Sequence, residues 1–316
     1  MNYALISKMK IKFFIKAFVS LLILFVLFTS IDVEKLGDVI VNADVMILVV
    51  ALGIVLSIRF VMAYRWQIVL RLYSVYPRFW NLLSIVFISN SVGHLLPGGI
   101  GVDVVRSYQL SKQEGVVAGI VASVFVDRVV GLLSMLLVAF FAAFLGFLFN
   151  DLSWIYLVST GGGLIAFFAM YSLRKVLARA QYGGLVTKGP LKFALSAFDK
   201  LVKSLSDVKL PTKVVLKLLL LSILVQMIRV LVFFLVFLAL DVQLEFTLLM
   251  VFIPLLFIVM LMPVSIGGLG VREGALFLFL NPYGVSIEAC TAAGLLFHLL
   301  QIISLLPGVL LYFFKK

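Results

Sequence analysis

Two glycine-rich motifs that carry charged residues interrupt apolar stretches of this sequence. Residues 97–106 read PGGIGVDVVR, and residues 267–273 read GGLGVRE. Backbone N–H groups at a glycine turn, together with the start of a following helix, form a natural binding site for anions. An arginine beside such a turn can hold phosphate through two parallel hydrogen bonds. The two motifs therefore predict the binding of a phosphate or a similar anion.

Charged residues accompany both motifs and recur in the apolar stretches between them. A charge at the centre of a bilayer helix costs about 2.5–3.5 kcal/mol on insertion scales, so it usually faces a partner or a watery cavity. We expect the arginines to converge on the anion. The carboxylates would orient the arginines, or bind a cationic headgroup or a coupling proton. The predicted binding residues are Pro97, Gly98, Gly99, Gly101, Asp103, Arg106, Asp127, Arg128, Arg229, Gly267, Gly268, Gly270, Arg272 and Glu273.

Other polar residues leave alternatives open. Arg59, near one end of an apolar stretch, either faces the site or extends its charge to the membrane surface. Asp127 and Arg128 either bind the ligand or form a purely structural pair. His94 either transfers protons or caps a helix. Neither histidine of the sequence has metal-ligand neighbours, so we expect no metal and no cofactor.

The composition is that of an integral membrane protein. Hydrophobic residues make up 64% of the 316 residues, whereas soluble domains average about 45–50%. The net charge of +12 comes mostly from basic residues in short segments between apolar runs. Basic residues are distributed in this way by the positive-inside rule, so we do not expect a nucleic-acid partner. The single cysteine, Cys290, excludes an internal disulfide.

Six apolar stretches are long enough to cross a bilayer, which takes about 20 residues. Two shorter stretches, 80–97 and 246–263, end at a proline and continue after glycines as 102–112 and 271–280. The first full stretch begins with lysines and resembles a signal peptide. It lacks a small-residue cleavage site, so we interpret it as a retained span. The six predicted spans are 13–31, 43–64, 116–149, 152–173, 214–240 and 286–313.

The charged segments between the spans predict their orientation. The N-terminal lysines place the start of the chain in the cytoplasm, and the acidic segment 32–44 lies outside. Arg65, Arg71 and Arg78 mark the return to the cytoplasm. The basic segment 174–213 is a cytoplasmic linker, in which 191–205 predicts an interfacial amphipathic helix, with a soluble hairpin as the alternative. Both termini are then cytoplasmic only if each broken stretch is a re-entrant hairpin, the first entering from the cytoplasm and the second from outside.

The two motifs also belong to an internal repeat. Arg59 precedes Gly98 by 39 residues, and Arg229 precedes Gly267 by 38. Each half has the same order of a span, an arginine-bearing span, a hairpin and a span, and the halves start on opposite sides. Inverted repeats with broken helices are typical of secondary transporters. We predict one membrane domain, 1–316, with repeats at about 10–149 and 152–316; the alternative is that glycine and proline only permit close helix packing.

Three segments resemble the lysylphosphatidylglycerol synthase transmembrane family, also described as flippase-like proteins. They read NSVGHLLPGGIGVDVVRSYQLSK, ASVFVDRVVGLL and MPVSIGGLGVREGAL, and the resemblance extends over roughly 10–312. It implies movement of a modified phospholipid, or of a polyprenyl-phosphate-linked lipid, between leaflets. The full-length synthases carry a C-terminal transferase domain that uses aminoacyl-tRNA. We expect this chain to lack that domain and not to be an enzyme.

These observations predict an all-α polytopic protein of the plasma membrane that moves a phosphate-bearing lipid between leaflets. In this interpretation the predicted binding residues contact the lipid headgroup. One alternative is a non-transporting subunit that supports a lipid transferase or glycosyltransferase. The other is a membrane enzyme acting on a lipid phosphate, for which Asp103, His94 and Asp127 are the acid–base candidates.

Overall fold

The structure, a computed structural model, describes residues 32–93, 101–149, 152–182, 211–261 and 268–314, and only the backbone within 170–182. The predicted first span, the amphipathic helix at 191–205 and most of the basic linker lie outside these ranges. So do His94, Pro97, Gly98, Gly99 and Gly267.

All regular secondary structure in the described residues is helical. The helices are α1 (Val33–Val41), α2 (Val45–Leu72), α3 (Phe79–Gly93), α4 (Gly101–Glu114), α5 (Ala118–Phe149), α6 (Trp154–Tyr182), α7 (Thr212–Ala239), α8 (Phe246–Met260), α9 (Val271–Leu280), α10 (Ile287–Ile303) and α11 (Leu306–Phe314).

Polar side chains fix where several helices begin. Asp32 precedes α1 and accepts hydrogen bonds from the backbone N–H groups of Glu34 and Lys35. The Lys35 N–H is the main reason that the pKa of Asp32 lies below its ordinary value. Asp44 caps α2 in the same way, and Ser286 caps α10. An aspartate or serine at this position satisfies N–H groups that have no partner within the helix.

Four helical segments are long and apolar enough to cross a membrane. They are Val45–Leu72, Ala118–Phe149, Thr212–Ala239 and Ile287–Phe314. Large apolar side chains remain exposed along them, such as Phe141, Phe144 and Phe147 on α5. Apolar surface of this extent is suited to lipid rather than to water. The predicted all-α polytopic membrane fold is confirmed.

The two broken stretches form pairs of short helices. Helices α3 and α8 have 15 residues each, α4 has 14 and α9 has 10. Both ends of α8 and α9 lie within the described residues, and at 1.5 Å per residue the longer of the two reaches only about 22 Å, which is less than the roughly 30 Å of a bilayer core. Within each pair the two helices pack against each other. This is the local structure that re-entrant hairpins require; their position in a bilayer stays a prediction.

Helices of the two predicted halves pack on each other in a reciprocal way. The arginine-bearing helices α2 and α7 lie side by side and antiparallel. At one end the Asp44 N–H donates to the Ala239 carbonyl at 2.9 Å, and nearer the other end Arg65 Nη1 donates to Ser222 Oγ at 2.9 Å. Helix α3 packs on α11, the last helix of the second half, and α8 packs on α5, the last helix of the first half.

Three helix boundaries differ from the sequence-based prediction. The prediction that Arg65 lies in a segment after its span was wrong: α2 continues to Leu72 and buries Arg65. The apolar character of AYRWQIVL at 63–70 accounts for this continuation. Helix α6 continues to Tyr182, into the predicted linker. A break at residues 304–305 interrupts the last predicted span. Helix α11 begins after it, and Pro307 lies in the first turn of that helix.

Candidate anion-binding site

Asp127 joins arginines from two other helices. Its carboxylate lies on α5 and accepts a hydrogen bond from Arg65 Nε of α2 at 2.7 Å. Arg106 Nη1 of α4 donates to the other carboxylate oxygen at 3.2 Å. The side chains are almost fully buried, with 3% of Asp127 and 6% of each arginine exposed. A buried carboxylate bonded at both oxygens therefore ties α2, α4 and α5 together.

Asp103 continues this network at the start of α4. One of its oxygens lies 2.8 Å from Arg106 Nη2, one helical turn further along, and the other accepts from Arg128 Nε of α5. Arg128 is the most accessible member, with 38% of its side chain exposed. The result is an alternating chain of charges, here called the aspartate cluster. Its members are Arg65, Asp127, Arg106, Asp103 and Arg128.

Neutral groups support the arginines of the aspartate cluster. The Arg106 guanidinium lies 4.9 Å from the centre of the Trp66 ring, and Trp66 Nε1 donates to Ser123 Oγ at 3.0 Å. Arg106 Nε is buried and has no hydrogen-bond acceptor among the described residues. An unsatisfied buried donor of this kind is costly, and such groups commonly bind a water or a ligand.

A second group of arginines lies against phenylalanine rings. Arg229 of α7 sits 4.4 Å from the centre of the Phe257 ring, and Arg272 of α9 sits 5.2 Å from the centre of the Phe297 ring. The two rings contact each other with centroids 6.1 Å apart. Aromatic faces attract guanidinium groups, especially where water is excluded. Arg229, Phe257, Phe297 and Arg272 are here called the aromatic–arginine group.

Arg272 is also held by polar atoms of α10. Its Nη1 donates to the Gly294 carbonyl at 3.2 Å, and its Nη2 donates to Gln301 Oε1 at 3.3 Å. The Arg272 side chain is completely buried. These hydrogen bonds hold the guanidinium where α9 packs against α10.

The Glu273 side chain accepts a hydrogen bond from the backbone of the second glycine motif. The Gly270 N–H donates to Glu273 Oε2 at 2.7 Å, so the carboxylate caps its own helix. Gly268 and Gly270 both have φ of +79°, a conformation that favours glycine. Close approach of α10 needs a further glycine, because a Cβ at Gly294 would lie 2.8 Å from Glu273 Oε1. The second motif thus binds a carboxylate, and that carboxylate belongs to the chain itself.

One face of α7 connects the two groups. Ser222, Gln226 and Arg229 follow one another at spacings of four and three residues, which places them on the same side of the helix. Ser222 accepts from Arg65 of the aspartate cluster at 2.9 Å. Gln226 accepts from Arg229 at 3.3 Å and donates to Ser134 of α5 at 3.2 Å. Polar groups therefore line one face of α7 between the two groups, and this face is here called the track on α7.

The structure distributes the predicted binding residues over these two groups. The aspartate cluster contains Asp103, Arg106, Asp127 and Arg128, and Gly101 begins the helix that carries the first two. Arg229, Arg272, Glu273, Gly268 and Gly270 lie in or beside the aromatic–arginine group.

Sequence reasoning missed Arg65. The signal that would have found it is its place within AYRWQIVL, 63–70, where apolar residues predominate on both sides of it. No group of three or more histidine, cysteine or acidic residues suited to a metal ion occurs in the described part of the chain.

Positive charge exceeds negative charge in this interior. Six arginines and three carboxylates lie there among the described residues. The residues are Arg59, Arg65, Arg106, Arg128, Arg229 and Arg272 against Asp103, Asp127 and Glu273. In a medium that strongly disfavours unpaired charge, such an excess is suited to an anionic guest.

Comparison with known proteins identifies the family. Neither the curated proteins nor the solved structures gave a match. The chain matches the family described as the lysylphosphatidylglycerol synthase TM region over residues 13–308, which is nearly its whole length. This chain therefore belongs to the lysylphosphatidylglycerol synthase transmembrane-region family.

Proposed function

We propose that this protein moves an anionic, phosphate-bearing lipid between the two leaflets of a membrane. The observation that carries the proposal is the excess of arginine over carboxylate within membrane-spanning helices. The family to which the chain belongs is named for a lipid-modifying synthase, which favours a lipid as the anionic guest.

The track on α7 suits a lipid headgroup better than a free solute. A lipid needs polar contacts only for its headgroup, because its tails can remain in the hydrocarbon. Arg106 would contact the phosphate through its buried Nε, and Arg128, more exposed, would meet the headgroup first. Charge-assisted hydrogen bonds from guanidinium to phosphate are among the strongest that a protein makes.

The reciprocal packing of the halves supports alternating access. Two inverted repeats exchange equivalent contacts when one half rocks against the other. Here α3 rests on α11 and α8 on α5, while α2 and α7 lie between them. Movement of the short helices would open the track first to one side and then to the other.

Orientation, location and partner belong to the same proposal. We place the protein in the plasma membrane with both termini in the cytoplasm, since the lysines of the sequence are concentrated at the ends and in segment 174–213. A lipid-modifying enzyme would supply the lipid, and the chain itself would not be an enzyme. Purified protein should accordingly leave a labelled phospholipid chemically unchanged.

The proposal is tested by reconstituting the purified protein into phosphatidylcholine vesicles that contain a trace of fluorescent phosphatidylglycerol. A membrane-impermeant quencher then reports the labelled lipid that reaches the outer leaflet. We expect protein-containing vesicles to expose inner-leaflet phosphatidylglycerol faster than labelled phosphatidylcholine. Exposure no faster than in protein-free vesicles would contradict transport of this lipid class.

A further inference from the structure

Arg59 is a buried cation that belongs to neither the aspartate cluster nor the aromatic–arginine group. It lies on α2 with 9% of its surface exposed, and its Nε has no hydrogen-bond acceptor among the described residues. The described residues also give it no ion pair. The Arg59 side chain therefore lies within the protein, which favours the alternative that it faces the site over extension to the membrane surface.

The register of α2 against α7 places Arg59 level with Arg229. Arg65 bonds Ser222, and Tyr64 OH accepts from Lys217 Nζ at 2.7 Å on the same antiparallel pair. Arg59 lies six residues before Arg65, and Arg229 lies seven residues after Ser222. At 1.5 Å per residue these steps are about 9 Å and about 10 Å in the same direction. The two arginines thus reach the same depth on neighbouring helices.

No carboxylate of the described residues forms a direct ion pair with Arg59 or Arg229. Asp127 and Asp103 are engaged within the aspartate cluster, and Glu273 caps α9. Among the undescribed segments, only 150–151 and 183–210 contain acidic residues, and segments 1–31, 94–100 and 262–267 contain none. Arg229 has a glutamine and a phenylalanine ring as partners, and both are neutral.

The positive charges on these helices act on one another. Arg65 and Arg59 both repel Arg229, and the Asp127 carboxylate of the aspartate cluster offsets this only in part. Like charges repel strongly where the dielectric constant is low. A phosphate between two guanidinium groups replaces that repulsion with charge-assisted hydrogen bonds to each of them.

We propose that Arg59 and Arg229 form a second anion-binding site at the contact between α2 and α7, and that it takes a phosphate group. Gln226 and Phe257 position Arg229 within it. The inference rests on the proposed function in one respect: a transported lipid would bring its phosphate here after leaving the aspartate cluster. A free phosphate ion has the same chemistry, so the experiment separates the two sources.

Binding is measured on the full-length protein in two forms. Detergent-solubilised protein is titrated with inorganic phosphate against chloride at equal ionic strength. Protein in phosphatidylcholine nanodiscs is compared with protein in nanodiscs that also contain phosphatidate. The variants are Arg59→Gln, Arg229→Gln and the double variant, and the control is Arg71→Gln, an exposed arginine on α2.

We expect each single variant to weaken binding about tenfold, the equivalent of one lost charge-assisted hydrogen bond. The double variant should weaken binding further, by up to about a hundredfold, because each arginine makes its own contact to the same phosphate. Arg71→Gln should bind as the wild type does. If the Arg59 and Arg229 variants lose binding only to phosphatidate nanodiscs, the ligand is a lipid headgroup. If they also lose binding to inorganic phosphate, the site takes the phosphate ion itself.

Stability without ligand separates binding from a structural role. Removal of an uncompensated buried charge should leave the melting temperature of Arg59→Gln equal to or above that of the wild type. A lower melting temperature together with unchanged binding would overturn the site, as would wild-type binding by both single variants. Phosphate binding that depends on Arg59 but occurs without leaflet movement would refute transport and keep the site.

Discussion

At the scale of single residues, Asp127 is the carboxylate on which the aspartate cluster depends. Arg65 and Arg106 approach it from different helices, and each bonds a separate oxygen. Either arginine alone would leave one oxygen unsatisfied in an apolar interior. The position therefore stabilises the fold as well as the charge arrangement.

Asp127→Asn should destabilise the protein by about 3–5 kcal/mol, because it leaves the buried Arg65 without a counter-charge and Arg106 with Asp103 alone. The measurement is the unfolding midpoint of purified protein in mixed detergent and dodecyl sulfate micelles.

Asp241→Asn is the matched control for this change. Asp241 is exposed just beyond the end of α7, so the same chemical substitution should shift the midpoint very little. Equal shifts for the two variants would contradict a structural role for the buried ion pairs.

The sequence predicted four members of the aspartate cluster and missed the fifth. Asp103, Arg106, Asp127 and Arg128 stand out because charges are rare in apolar stretches. Arg65 was assigned to a polar segment because Arg71 and Arg78 follow it. Which carboxylate meets which arginine depends on helix packing, and spacing along one chain carries no information about that.

At the scale of helices, a glycine sets the distance between the last helix and the first hairpin. Helix α11 rests on α3, where Ser91 Oγ donates to the Leu305 carbonyl at 2.7 Å. A Cβ on Gly308 would lie 2.2 Å from the Phe87 carbonyl oxygen. Backbone atoms cannot yield in the way that a flexible side chain can, so only glycine permits this approach.

Gly308→Ala should therefore destabilise the protein by about 1–3 kcal/mol, as overpacking usually does. Gly53→Ala on α2 is the control, because its Cβ would meet nothing within 4 Å. Alanine should there be neutral or stabilise by up to about 1 kcal/mol through helix propensity. Thermal melting in detergent compares the two; an unaltered midpoint for Gly308→Ala would show that α11 can shift without cost.

Helix breaks were predictable only in part. Proline followed by glycines marked the end of α8 correctly to within a few residues. The turn at residues 304–305 was missed, although Pro307 follows it. A proline is tolerated in the first turn of a helix, so it does not reveal from sequence alone whether a new helix begins before it.

At the scale of the whole molecule, hydropathy determines the fold class but not how the helices pack against one another. A bilayer offers no partner for backbone groups, so long apolar stretches must become helices. Helices such as α2 and α7 are apolar on most sides. Their sequences therefore carry little periodic signal for which face packs on which neighbour.

The re-entrant hairpin predicts that residues 78 and 112 face the same side of the membrane. Both are exposed at the outer ends of α3 and α4. Arg78→Cys and Lys112→Cys, made separately in a Cys290→Ala background, should react equally with an impermeant maleimide in sealed vesicles. Asp241→Cys should react from the opposite side. Labelling of 78 and 112 from opposite sides would contradict the hairpin and the inverted repeats.

The most direct test of the central claim is leaflet movement of labelled phosphatidylglycerol by Arg106→Gln. Asp103 and Asp127 each keep another arginine in this variant, Arg128 and Arg65, so the helices should stay in place. We predict that movement slows at least about tenfold through loss of a charge-assisted contact to phosphate, whereas Arg71→Gln moves the lipid at the wild-type rate. Wild-type movement by a folded Arg106→Gln protein would contradict headgroup passage through the aspartate cluster.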